Sequence, residues 1–252
     1  MNNCVIIPAR YNSKRLPGKP LIQLNENPLI GETIKYLKKK IDIKDIFVCT
    51  DSLKVAKYLK GIISNPAIII KKKCLNGTER CSWALEKIKK NYDYVTIVSC
   101  DMPLVDSKII KYLEKKAFDN KNIADGYTVH VKITDKKVLS NSNVAKIVTS
   151  KSNRVLYLSR NRIPSLDKFV SGKFFSHHGI VMLKKEVLKK YKYLKNTNLQ
   201  IMEDNEWLKL IENDYLIKSY PTKEMHPEIN TKKDLNDFFK IKKIYNFKKY
   251  SI

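Results

Sequence analysis

Between positions 10 and 19 the sequence sets four cations, Arg10, Lys14, Arg15 and Lys19, around the turn-forming pair Pro17-Gly18. A turn of this composition lets backbone come close to a ligand, and its guanidinium and ammonium groups suit a triphosphate. A solvated basic loop would look the same. The second position able to do chemistry is Asp101, just past the apolar run Val95-Thr96-Ile97-Val98. A carboxylate leaving the carboxyl end of a strand can hold a hard cation such as Mg²⁺, or it can simply cap a helix. Asp106, ahead of Ser107-Lys108-Ile109-Ile110, is better explained as such a cap.

Two other phosphate signatures are missing. There is no G-x-G-x-x-G, and Gly18-Lys19 runs into Pro20 without the upstream glycine of a P-loop, so neither a dinucleotide dehydrogenase nor a P-loop NTPase is supported. Nucleic-acid binding has to be weighed, because 50 Lys and Arg face 25 Asp and Glu for a net charge of +25 over 252 residues. Only six of those 50 are Arg, and the lysines are spread over nearly every helical stretch, as solvated faces are. With no recognition helix, RNP motif or aromatic platform, a nucleic-acid partner is not expected. No apolar run approaches the roughly 18 to 20 residues of a membrane span, so a soluble, cytoplasmic protein is expected. The five cysteines, 4, 49, 74, 81 and 100, include no C-x-x-C pair and read as buried free thiols.

The elements that must position these residues alternate in kind. Short Val- and Ile-rich runs at 4–8, 46–50, 67–70 and 94–100 predict strands, with helical stretches near 28–40, 52–62, 77–90 and 106–118 between or after them. The second half predicts strands near 126–133, 144–149, 155–159, 175–183 and 215–220, and helices near 184–194, 203–213 and 231–244. The pattern implies one α/β domain over 1–252, a mostly parallel sheet between helices with an inserted, more antiparallel region around 125–185. Such folds bind ligands at the carboxyl ends of their parallel strands, where the cationic loop and Asp101 fall.

The run Ile7-Pro8-Ala9-Arg10 through Leu16-Pro17-Gly18-Lys19-Pro20 resembles the amino-terminal signature of the CMP-sugar synthetases, most closely the 3-deoxy-manno-octulosonate (Kdo) cytidylyltransferases. Further matches follow in order. Asn76-Gly77-Thr78-Glu79-Arg80 is similar to S-G-T-E/D-R, and Asp101-x-Pro103 stands where the family has G-D-E-P. Asn143-Val144-Ala145-Lys146-Ile147-Val148 is similar to N-x-V-K-V-V. Leu156-Tyr157-Leu158-Ser159-Arg160 with Ile163-Pro164 is similar to L-Y-F-S-R-x-x-I-P, and His177-His178-Gly179-Ile180 to H-x-G-I-Y. The resemblance implies a three-layer αβα nucleotide-diphospho-sugar transferase-like fold and Mg²⁺-dependent transfer of CMP from CTP to an acidic sugar for surface polysaccharide, in a homodimer built through 125–185. It implies that Arg10, Ser13, Arg15, Lys19, Arg80 and Ser99 serve CTP, with Lys19 and Asp101 catalytic. Arg160, His177 and Glu206 would serve the sugar, and Asp101 and the position of Asn230 would hold the metal.

The departures bear on the substrate and the metal. Ser99-Cys100 replaces a glutamine and glycine, Met102 a glutamate, Val181 a tyrosine and Trp207 a glutamine, so a related sugar such as amino-Kdo or a nonulosonate stays open, as does a weakly active relative. Where the family has V-D-T-x-x-D-L this chain reads Ile229-Asn230-Thr231-Lys232-Lys233-Asp234-Leu235. An amide oxygen can ligate Mg²⁺ but brings no charge, so the metal is expected to bind less tightly unless Glu228 or the substrate compensates.

Overall fold

The computed structural model describes residues 1–13, 15–24, 26–165, 173–223 and 227–249, with 241–249 described by backbone alone. The first half runs β1 (Asn3–Ala9), β2 (Gln23–Leu24), β3 (Asn27–Pro28), α1 (Leu29–Leu37), β4 (Ile46–Thr50), α2 (Leu53–Leu59), β5 (Ile68–Ile69), α3 (Gly77–Leu85), β6 (Tyr94–Val98) and α4 (Lys108–Asp119). The second half runs β7 (Gly126–Ile133), α5 (Lys136–Ser140), β8 (Lys146–Thr149), β9 (Val155–Ser159), β10 (Phe174–Lys184), α6 (Lys185–Tyr191), α7 (Asn198–Met202), α8 (Leu208–Ile211), β11 (Ile217–Thr222) and α9 (Lys232–Lys249).

Successive side chains of a strand point to opposite faces, and β1 shows what that does here. Val5 and Ile7 pack with Ile30, Ile34 and Leu113 of α1 and α4, while Cys4 and Ile6 pack with Cys81, Leu85 and Leu188 of α3 and α6. A strand that is apolar on both faces needs helices on both, which gives the three-layer αβα sandwich. All five cysteines are free and buried in it, as expected.

Among the described residues the main sheet has the order β11-β7-β10-β6-β1-β4-β5. β1 is parallel to β4 and β6, β4 to β5, and β7 to β11. The antiparallel character comes from β10, which opposes both β6 and β7, and from the β8–β9 pair that β10 meets at Ser176 and Lys146. β7 and β10 are therefore strands of the main sheet, and it is β8 and β9 that lie off its path. The helix expected over 203–213 is shorter than its periodicity suggested. Asp204 has a φ of 44° and breaks the chain between α7 and α8, so the polar residues 203–206 form a connection. The short α5 was not expected. No helix among the described residues is long and apolar enough to cross a membrane.

Candidate active site

From β1 the sheet grows outward to β4 and β5, then the chain returns to the other side of β1 as β6. This reversal opens a crevice at the carboxyl ends of β1 and β6. The register pairs Ile6 with Ile97, so the strands end level, one releasing the cationic loop and the other Asp101. The loop turns at Gly18, whose φ of 69° lies in the left-handed region that glycine adopts without strain. The Gly18 N–H donates to the Tyr11 carbonyl at 3.1 Å. Leu16 is buried with Leu24, Leu29, Ile229 and Phe238, an apolar pin that draws the loop against the segment ahead of α9.

Three chain segments meet there. Lys19 Nζ donates to Asp101 Oδ2 at 2.5 Å and to Asn230 Oδ1 at 2.9 Å, and the Ile229 N–H donates to the Asp101 carbonyl at 3.0 Å. Asp101 is 7% exposed, and its Oδ1 is buried with no hydrogen-bond partner among the described residues. Burial pulls the Lys19 ammonium down, but Asp101 and the Cys100 thiol outweigh it and leave the pKa above its ordinary value. Glu228 stands beside this pair, accepting from Asn230 Nδ2 at 3.4 Å and from the Gly179 N–H. Burial, reinforced by Asp101, pushes the Glu228 carboxyl up to about 7, against the pull of Lys19. The unmatched Asp101 oxygen and the Asn230 amide oxygen are hard donors of the kind Mg²⁺ takes, so these residues fit a divalent cation.

Arg80 reaches the same end of the sheet from α3. Asn76 caps that helix, accepting the Glu79 N–H at 2.8 Å. One turn in, the buried Arg80 guanidinium donates to the Ile70 carbonyl at 3.2 Å and to Asp51 Oδ2 at 3.5 Å. Asp51 Oδ1 accepts the Tyr11 N–H at 2.9 Å, so this acid, which the sequence reading passed over, ties Arg80 to the cationic loop. Arg10 is exposed at the end of β1, and Ser99 is half-buried after β6. Ser13 Oγ accepts the Leu16 N–H at 3.4 Å, which shapes the turn. Arg15 is exposed and donates to Asn143 Oδ1 at 3.3 Å, across to the residues before β8. Lys14 lies outside the described residues.

The residues expected to serve the sugar gather around the 203–207 connection, and their polar atoms are bonded mainly to protein. Arg160 donates from Nε to the Glu203 carbonyl at 3.1 Å and from its terminal nitrogens to the carbonyls of Ser142, Asn143 and Asp204. The Glu203 carboxylate accepts from Ser159 Oγ at 2.7 Å, the Arg160 N–H at 2.8 Å and Tyr157 Oη at 3.2 Å. Burial pushes its pKa up, but these donors and Arg160 hold it below the usual value. Glu206 Oε2 accepts the Thr78 N–H at 2.9 Å, which sets its carboxylate on the first turn of α3 rather than beside Arg160. There burial raises its pKa against the lowering by the Thr78 and Gly77 donors. His177 Nε2 lies 3.0 Å from Thr128 Oγ1, its ring is 6.3 Å from that of Trp207, and burial holds its pKa down to about 3. Lys146 is fully buried, its Nζ donating to the carbonyls of Asn141, Val144 and Arg160 at 2.9, 2.8 and 2.6 Å.

Residues 4–226 match the family model described as Cytidylyltransferase. The mitochondrial 3-deoxy-manno-octulosonate cytidylyltransferase of Arabidopsis thaliana is 35% identical over 231 residues, 84% of this chain and 73% of that one. An 8-amino-3,8-dideoxy-manno-octulosonate cytidylyltransferase of Shewanella pealeana is 28% identical over 236 residues, 93% of this chain and 95% of its own. A solved CMP:2-keto-3-deoxy-manno-octonic acid synthetase complexed with CTP covers 97% of this chain and 100% of its own with a TM-score of 0.88, at 22% identity a likeness of fold.

Proposed function

The chain belongs to the 3-deoxy-manno-octulosonate cytidylyltransferase family, and we propose that it transfers CMP from CTP to the anomeric hydroxyl of that sugar or a close acidic relative, with release of pyrophosphate. The observation that carries the proposal is the meeting of Lys19 and Asp101 at 2.5 Å, two residues 82 positions apart brought to the crevice between β1 and β6. A loop that presents Lys19 and the exposed Arg10 and Arg15 suits a triphosphate, while Asp101 and Asn230 are placed to hold a divalent cation, Mg²⁺ by the hardness of their oxygens. Such a cation, when bound, neutralises phosphate charge as the leaving group departs.

In the reaction the anomeric oxygen bonds to the α-phosphorus, the bond to the β-phosphate oxygen breaks, and the hydroxyl proton passes to solvent. The protein's part is to hold the triphosphate and aim the sugar, the ordinary means by which phosphoryl groups are transferred without a covalent intermediate. Buried Arg80, tied through Asp51 to the cationic loop, keeps that loop in place for the incoming nucleotide. Glu206, seated on the first turn of α3, joins the 203–207 connection to the nucleotide end. A homodimer through the 125–185 region, consistent with half-exposed Leu156 on β9, belongs to the same proposal, as does a cytoplasmic setting.

Pyrophosphate release measured with four nucleoside triphosphates against a panel of eight- and nine-carbon 3-deoxy sugar acids tests the proposal. Turnover is expected with CTP and an eight-carbon acid and is lost on chelation of the metal. The 28% identical 8-amino relative makes the 8-amino sugar a named member of the panel. Absence of CTP turnover with every acid would overturn the assignment.

A further inference from the structure

Two departures from the family pattern each remove a carboxylate, Met102 for a glutamate and Asn230 for an aspartate. The structure shows an acid that the pattern does not predict in the space between them. Glu228 lies two residues before Asn230, on the segment whose Ile229 N–H is bonded to the Asp101 carbonyl at 3.0 Å. A Cβ on Gly179 would come within 3.1 Å of Glu228 Oε1 and 3.8 Å of Met102 Sδ, so the absent side chain at Gly179 leaves the room that the carboxylate occupies.

Placing an acid here costs free energy unless something positive arrives. Two carboxylates, Asp101 and Glu228, act on each other electrostatically, and Lys19 is the cation bonded between Asp101 and Asn230. One cation thus faces two acidic groups, Asp101 among them only 7% exposed, and a divalent cation would complement that pairing. An amide at position 228 could accept the Gly179 N–H equally well, so that bond does not explain the acid. The orphaned Oδ1 of Asp101 points independently to a missing ligand, because buried oxygens are nearly always bonded.

We propose that Glu228 supplies the second carboxylate of the divalent-cation site, replacing from two residues upstream the charge that Asn230 lacks. The assignment rests on the function proposed above and deepens it: the chain has moved the acid rather than lost it, and its metal site is a full-charge site.

Titration of the purified protein with Mn²⁺, read by loss of the free-ion electron paramagnetic resonance signal with and without CTP and with no sugar present, tests this apart from catalysis. Glu228→Gln is expected to weaken Mn²⁺ binding about tenfold, as removal of a charged ligand does, with its thermal midpoint showing that the variant folds. The pair Glu228→Gln/Asn230→Asp, which restores the charge at the family's position, is expected to recover most of that loss. If the unaltered protein binds Mn²⁺ with CTP and Glu228→Gln binds it within twofold as well, Glu228 is no ligand and the inference fails while the function stands. A double variant no better than the single one would overturn the exchange between the two positions. Failure of the unaltered protein to take up Mn²⁺ and to turn over CTP would remove both.

Discussion

At the mouth between β1 and β6, charged groups face one another with an oxygen left over; beside β8 and β9 the same residue types are saturated by backbone. Lys19 divides its donors between a carboxylate and an amide oxygen, and Asp101 keeps an orphaned Oδ1. Lys146 gives its donors to three carbonyls, and Arg160 gives its own to the carbonyls of 142, 143, 203 and 204. Buried polar groups nearly always have partners, so the orphaned Oδ1 of Asp101 leaves a place for a ligand, while groups whose bonds are made within the protein hold its shape. Motif resemblance does not separate the two, because both kinds of residue fall in matched segments. The contrast separates the β1–β6 mouth, proposed for the nucleotide, from a 203–207 connection whose polar groups bond mainly to the protein.

The largest expected effect breaks the first region. Asp101→Ala removes the acid that Lys19 faces, and CMP transfer is expected to fall on the order of 10³-fold, the scale of losing a preorganised electrostatic contact in the transition state. Pyrophosphate release at saturating CTP and sugar reads it, with the thermal midpoint as the fold control. A rate within tenfold of the unaltered enzyme would move Asp101 out of the reacting centre.

Lys146→Met probes the second region and should act on the other observable. Three partly buried carbonyls lose their donor, each bond worth about 1 kcal/mol where water can take the donor's place, so a stability loss of about 3 kcal/mol is expected. Urea denaturation gives the loss directly, and the KM for CTP of the folded fraction should stay where it was. A large change in that KM with stability intact would make Lys146 a ligand contact and erase the contrast between the regions.

Much of this could be read from the sequence, for identifiable reasons. β-branched runs that are apolar on both faces announced β1, β4 and β6, and the family resemblance singled out Lys19 in the cationic turn and Asp101 past a strand, where an acid alone would read as a cap. Asp51 also follows a strand but falls in no matched motif, and its worth comes from Tyr11 and Arg80, distant in sequence. Glu228 was visible as a charge near Asn230, but its position depends on the gap over Gly179, which only the packing of β10 reveals. Glu206 was read with the sugar residues from motif order, which says nothing of direction; its carboxylate accepts the Thr78 N–H. The helix expected over 203–213 was misplaced because the left-handed Asp204 leaves no mark in hydrophobic spacing.

The smallest effect tests whether the wall at His177 is closed to protons. Burial, aided by His178 and His130, holds the His177 pKa down to about 3, against roughly 6.5 for an unfolded histidine. Between those values the unfolded chain binds a proton that the folded chain refuses, so this residue lowers stability as pH falls below about 6.5 and has no such effect above it. His177→Gln can keep a bond to Thr128 Oγ1 but cannot take the proton. The fall in thermal midpoint between pH 7 and pH 5 should therefore be about 4–8 °C smaller in the variant, the shift that ~2 kcal/mol makes in a domain of this size. Equal falls in both proteins would mean that His177 is protonated in place, and an imidazolium tolerated there would make that wall of the site a charged one, open to an anionic sugar rather than sealed by Thr128 and Trp207.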